Sequence, residues 1–313
     1  MSVIWMDGTL LPAEQARVSV LAHTLHYGVG VFEGIRSYAV EDGSGSVFRL
    51  DDHVQRLLDS AHICGLKMPF THAQLVKGCL ETLEANGLRD GYIRPIAYQD
   101  DGSLGGLGSN PPVHVAIAAS VWGAYLGEDG VRKGIKVHVS AYRRSGLGSS
   151  LPKAKISGQY VVSTLAKREA RGLGFDEALL MDDDGNIAEG SGENMFIVTS
   201  DGVLKTPPTS APILPGLTRA TVLHLARRGL ETLGLSDLRE ENISRGELLV
   251  ANEVFLTGTA AELTPVRQVD LHTIGRGEPG PVTRGLQQAY FELVRGRRNA
   301  PAHWRTPFGA LVR

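Results

Sequence analysis

The sequence predicts a mixed α/β protein (α+β in its arrangement) built from two domains. Three observations carry that reading. Helical apolar spacing alternates with short apolar and β-branched runs along most of the chain. The length of 313 residues is enough for two cores. GEDGVRKG (127–134), rich in glycine and charge, reads as a linker. It divides a smaller N-terminal α/β domain, residues 1–127, from a larger C-terminal domain, residues 128–313.

The elements follow in order. LDDHVQRLLDSAHICGL (50–66) has apolar residues at helical spacing, with Asp51 and Asp52 suited to the positive end of its dipole. HAQLVKGCLETLEANGL (72–88) predicts a second helix that stops near Gly87. YIRPIAYQ (92–99) and VHVAIAASVWG (113–123) read as strands, the second almost wholly apolar and therefore central. The intervening DDGSLGGLGSNPP (100–112) is too long for a simple turn. After the linker come a strand at IKVHVSAY, a helix over 159–172, and paired strands EALLMD and NMFIVT. A helix at ILPGLTRATVLHLARR, a strand at EVFLTGT and a last helix at TRGLQQAYFELVRG complete the chain.

Composition narrows the function classes. A net charge of −2 gives no electrostatic case for nucleic acid or an anionic membrane. No apolar run is long enough to span a bilayer, and MSVIWMDGTL lacks the basic start and apolar core of a signal peptide. Cys64 and Cys79 are the only cysteines and have no CxxC spacing. That argues against a disulfide framework or a metal cluster and suits a reducing cytoplasm.

Four stretches carry candidate chemistry. LPKAKISGQY (151–160) holds Lys153 and Lys155 in a chain with only eight lysines. A lysine amine forms an imine, whereas a guanidinium does not; the bland alternative is two solvated lysines. DDDGNIAEGSGENMF (182–196) turns at Asp184-Gly185 and then sets Glu189 and Glu193 among small residues. An acid there would keep a ring nitrogen protonated through a charge-assisted bond of about 1.5–3 kcal/mol, unless the stretch is simply an acidic surface turn. ILPGLTRAT (213–221) puts Thr218 at a helix start, which suits a phosphate seat, an ordinary cap, or both at once. LTGTAAELTP (256–265) could add a second lip of donors. In YGVGVFEGIRSY (27–38) the glycine spacing is wrong for a dinucleotide fingerprint, and Tyr27 and Phe32 read instead as aromatic walls for a small apolar ligand.

A lysine, an acid for a ring nitrogen and a phosphate seat together describe a pyridoxal phosphate site. VFEGIRSY, HVQRLLDSA, YIRP, WGAYLG, IAEGSGEN, LPGLTR and TGTAAELTPV also occur in the order of the signature segments of branched-chain amino-acid aminotransferases. The sequence resembles that family from about residue 5 to about residue 295. The resemblance implies the fold-type IV architecture of pyridoxal-phosphate enzymes, two domains with the cofactor in the cleft between them. It also implies pyridoxal 5′-phosphate as cofactor and no metal.

Residue by residue, the resemblance implies that Lys155, heading KISGQY, is the catalytic aldimine lysine, with Lys153 its neighbour. Tyr160 matches the partner of the cofactor's phenolic oxygen, and Glu189 the partner of its ring nitrogen, with Glu193 structural. Arg56, Leu217, Thr218 and Thr259 would hold the phosphate. Tyr92 and Arg94 would meet the substrate side chain or the second carboxylate of glutamate. Phe32, Trp122 and Tyr125 would line the apolar pocket, Thr259 and Ala260 would touch substrate, and Tyr27 would reach in from the other subunit of a homodimer or higher homo-oligomer. Ser157 and Gln159 replace the family's Gly and Asn, and Ser109 stands where relatives carry an apolar residue. The implied reaction is amino transfer between leucine, isoleucine or valine and 2-oxoglutarate, with glutamate as product. D-amino-acid aminotransferases, (R)-amine transaminases and aminodeoxychorismate lyases share the lysine, acid and phosphate seat, and a non-catalytic binding protein on this scaffold is a further alternative.

Overall fold

The computed structural model describes residues 2–100, 110–123, 125–144, 146, 148 and 150–309. Ser109 and most of the glycine-rich loop lie outside the described residues. The chain divides into two compact units. The first comprises Met1–Trp122, Ala154–Gln159 and Leu293–Arg313; the second comprises Gly123–Lys153 and Tyr160–Glu292. This course differs from a linear division after residue 127, for a physical reason. The backbone of 154–159 is hydrogen-bonded to residues 28–32, and the C-terminal strand Arg305–Phe308 pairs with Gly45–Phe48. The expected linker itself forms a short helix, Glu128–Lys133, between Gly127 and Gly134 at φ of 81° and 85°.

The first unit is built on an eight-stranded sheet whose pairings are all antiparallel. Its order is Arg305–Phe308, Gly45–Phe48, Ile35–Ala39, Gly91–Gln99, Val113–Ser120, Val3–Met6, Thr9–Pro12, with Gly30–Phe32 also on Gly91–Gln99. The two strands expected at 92–99 and 113–123 pair from Tyr92 opposite Ser120 to Gln99 opposite Val113. Val113–Ser120 is an interior strand, flanked by Gly91–Gln99 and Val3–Met6. Helices Leu50–Ile63 and His72–Ala85 cover the sheet, the second opened by a capping box between Thr71 and Gln74. Leu50, Leu57, Leu75, Leu83, Ile35, Ile93 and Ile117 are fully buried in this core. Each contributes about 1.5–3 kcal/mol relative to exposure.

The second unit carries a ten-stranded mixed sheet. Ile135–Arg143 runs parallel to Glu177–Met181, and helix Tyr160–Gly172 packs on both. The turn at Asp184-Gly185 forms as expected, with Gly185 at φ 83°. The pairing expected for the strands around it is corrected. Glu177–Met181 pairs with Asn186–Gly190, while Asn194–Val198 pairs with Glu253–Gly258 and Val203–Thr206. Only three residues separate Gly190 from Asn194, and the five residues Asn186–Gly190 are too few to be recognised as a strand of their own. Gly216 is extended, and the helix runs from Leu217 to Gly229, opening one residue before the start expected at Thr218. No described helix is long and apolar enough to cross a membrane.

Candidate active site

In the first unit Lys155 sits on a pinned backbone. Its N–H donates to Ser60 Oγ at 3.0 Å, and its carbonyl accepts from the Phe32 N–H at 3.1 Å. Ile156 bridges Val31, and the Gly158 N–H donates to the Gly28 carbonyl at 3.0 Å. A Cβ on Gly28 would stand 3.0 Å from Gly158 Cα, so this crossing of two backbones requires glycine. Lys155 Nζ lies 4.9 Å from the centre of the Phe32 ring.

Phe32 joins Lys155 to a second group of residues. The Arg94 guanidinium stands 4.9 Å from the Phe32 ring centre and 5.3 Å from that of Tyr92. Arg94 Nη2 donates to Tyr92 Oη at 3.1 Å, and the Tyr92 ring stacks on Trp122 with centroids 4.7 Å apart. Gly34 makes this possible, since a Cβ there would collide with the Tyr92 hydroxyl. Tyr92 and Arg94 share one face of their strand because side chains alternate with period two.

Arg56 is held by Glu33, a residue that sequence reading did not single out. Arg56 Nε and Nη2 donate to the two Glu33 oxygens at 2.6 and 2.9 Å, and His53 Nδ1 lies 2.7 Å from Oε2. Burial pushes the Glu33 carboxyl up, but Arg56 and His53 outweigh it and hold the group far below the usual carboxylate range. Burial also lowers the His53 pKa.

In the second unit Glu189 lies on strand Asn186–Gly190 at a bulge and is 2% exposed, so the stretch is not an acidic surface turn. One oxygen accepts from Arg144, and the other from Asn194 Nδ2 at 3.0 Å and the Leu214 N–H at 3.1 Å. Gly216 leaves room for Asn194, whose Oδ1 would lie 1.9 Å from an added Cβ. Lys153 Nζ donates to the carbonyls of Ala211 and Ile213 at 2.8 and 3.1 Å, so its half-buried ammonium is already committed.

Helix Leu217–Gly229 starts after Gly216 with no side-chain cap, and Thr218 is buried inside its first turn rather than capping it. Thr257 Oγ1, at the end of strand Glu253–Gly258, is buried without a hydrogen-bond partner among the described residues. Thr259 and Ala260 follow in the turn, half-buried. Tyr160 opens helix Tyr160–Gly172, and the Tyr125 hydroxyl accepts from Lys167 Nζ at 2.7 Å.

Each unit carries groups of the kinds that pyridoxal phosphate requires: the first an amine for a carbonyl and a guanidinium for a phosphate, the second a buried carboxylate for a ring nitrogen and, for a phosphate, an uncapped helix start and an orphaned hydroxyl. The chain belongs to the class IV amino-transferases, the family Amino-transferase class IV matching residues 30–269. Within that class it is similar to branched-chain-amino-acid aminotransferases over nearly its whole length. The enzyme of that name from Pseudomonas aeruginosa PAO1 is 46% identical over 305 residues, covering 97% of this chain and 96% of its own. The crystal structure of the Escherichia coli branched-chain amino acid aminotransferase superposes with a TM-score of 0.91 at 42% identity, covering 97% and 98% of the two chains. That of the Thermobaculum terrenum branched-chain amino acid aminotransferase in its PLP form gives 0.90 at 34% identity, covering 98% of each chain. The fold and family expected from the sequence are borne out.

Proposed function

We propose that this chain is a branched-chain amino-acid transaminase that exchanges the amino group of leucine, isoleucine or valine with 2-oxoglutarate, using pyridoxal 5′-phosphate on Lys155. The cofactor, when bound, supplies an electron sink for the bond at the substrate's α-carbon. The observation that carries the lysine assignment is the contrast within LPKAKISGQY. Lys153 spends its ammonium on two carbonyls, whereas Lys155 is fixed by its backbone beside Phe32.

The chain's residues then divide the work. Lys155 binds the cofactor and afterwards, as a neutral amine, takes the α-proton and returns it. Glu189, fixed by Arg144, Asn194 and the Leu214 N–H, holds a proton at the ring nitrogen. Tyr160 donates to the phenolic oxygen. Arg56, oriented by Glu33, serves the phosphate with the N–H groups of Leu217 and Thr218 and with Thr259. Phe32, Trp122 and Tyr125 exclude water from the branched side chain. Tyr92 and Arg94 meet the second carboxylate of glutamate, and Thr259 and Ala260 the substrate backbone.

The working form is a homodimer in the cytoplasm, with Tyr27 serving the neighbouring subunit. Supporting this, the segment before Tyr27 exposes Val18, Val20, Leu21 and Leu25, apolar side chains that a neighbouring subunit would cover. Cys64 and Cys79 are both free thiols, as a reducing compartment favours. A panel of amino donors assayed against 2-oxoglutarate tests the activity. Leucine, isoleucine and valine should lead it, and preference for D-alanine or an (R)-amine would overturn the assignment.

A further inference from the structure

A buried polar cluster in the second unit lies behind Tyr125, and none of the roles above uses it. Lys167, on helix Tyr160–Gly172, donates from Nζ to Tyr125 Oη at 2.7 Å and to Glu177 Oε2 at 2.6 Å. The Glu177 side chain is fully buried and that of Lys167 is 14% exposed. The second Glu177 oxygen accepts from Ser191 Oγ at 2.6 Å and from the Ala178 N–H at 2.8 Å. Glu177 is therefore locked to strand and turn by its own contacts, and Lys167 is locked to Glu177.

Tyr125 is differently placed. It stands in a turn ahead of helix Glu128–Lys133 and is 38% exposed, so regular secondary structure does not hold its side chain. A lysine whose ammonium is already anchored loses little freedom when it grips a tyrosine hydroxyl, whereas a solvated lysine would have to be ordered first. An oxygen that accepts from an ammonium is also polarised, which makes its own O–H a stronger donor. Burial pulls the Lys167 pKa down, but Glu177 and Glu193 outweigh it, so the grip is that of an ammonium.

We propose that Lys167 is a positioning residue for substrate binding: anchored by Glu177, it fixes the hydroxyl and ring of Tyr125 and so sets the wall that Tyr125 gives the substrate. This rests on the reading of Tyr125 as a pocket residue. It predicts an effect on substrate affinity rather than on the chemical step, because neither Lys167 nor Glu177 touches the reacting atoms.

Steady-state kinetics of the holoenzyme with leucine and 2-oxoglutarate test it. Lys167→Met should raise the KM for leucine about tenfold, the loss of one charge-assisted hydrogen bond. It should change kcat by less than about threefold and leave the visible absorbance of the bound cofactor intact. Tyr125→Phe should do the same, and the double variant should be no worse than either single one. Because Lys167→Met strands a buried carboxylate, Lys167→Met/Glu177→Gln is the companion variant and should show the same rise in KM. Additive effects of Lys167→Met and Tyr125→Phe, or a fall in kcat at unchanged KM, would overturn the inference. A Tyr125→Phe enzyme with unaltered KM would instead remove Tyr125 from the pocket and take the inference with it. A raised KM in Tyr125→Phe but not in the Lys167 variants would sink the inference alone.

Discussion

Arg144 presents Nε and Nη2 to a single oxygen of Glu189, at 2.6 and 2.5 Å. Arg144 is mostly shielded, its side chain 14% exposed, and although burial draws its pKa down, Glu189 more than restores it. The buried carboxylate is thereby matched by a charge and aimed by Asn194 and the Leu214 N–H. Glu189→Gln should keep the cofactor bound but slow turnover by roughly a hundredfold, since an amide cannot hold a proton on the ring nitrogen. Cofactor titration and single-turnover spectra measure the two effects separately. A variant that turns over at the wild-type rate would show that Glu189 has no such task.

The two lysines offer the sharpest discrimination. Lys155→Ala should lose both the visible absorbance of the bound cofactor and transamination. Lys153→Ala should keep the absorbance and lose stability, because two carbonyls lose their donor. A colourless Lys153→Ala protein would move the cofactor two residues along the chain.

Glu193 predicts a pH dependence of stability. Burial, the nearby Glu177 carboxylate and Glu189 push its carboxyl from the ordinary 4.5 up to about 8, against the pull of Lys167. The folded chain then keeps a proton that the unfolded chain has released, so this group's contribution to stability falls as pH rises from 4.5 to about 8. Glu193→Gln removes that slope. The melting temperature of the variant relative to the parent should therefore climb between pH 5 and pH 8. A constant difference across that window would mean that Glu193 ionises normally.

Arg94 is predicted to separate the two substrates. Its guanidinium leans on Phe32 and Tyr92 and donates to the Tyr92 hydroxyl, which leaves a cation at an aromatic surface. Arg94→Leu should slow the half-reaction with glutamate or 2-oxoglutarate by about ten- to a hundredfold, because a buried carboxylate needs such a partner. The half-reaction with leucine should change much less. Equal losses would place Arg94 in the scaffold.

Much of this was legible in the chain. Helices 50–66 and 72–88 and strands 92–99 and 113–123 have long, clean periodicity, and all four form. The strands Gly30–Phe32, Ile35–Ala39 and Gly45–Phe48 escaped because three to five residues are too few to show a period; their partners, not their sequence, make them strands. Among site residues, the lysine and acid stood out by residue type. Glu33, Arg144 and Asn194 did not, although Glu33 lies within VFEGIR and Asn194 within SGEN. Their meaning is a distance to another side chain, and charged residues are most often solvated. The contacts of Glu33 with Arg56, and of Arg144 and Asn194 with Glu189, reveal them.

The order in which the chain is synthesised acquires a meaning from the path between units. Strand Arg305–Phe308 completes a sheet whose other seven strands have all been made by residue 120. Residues 154–159, which bear Lys155, join that same unit only after part of the other has been translated. No contiguous stretch of message encodes either unit. An N-terminal half cut near residue 127 would therefore lack both the last strand of its sheet and the segment that carries Lys155.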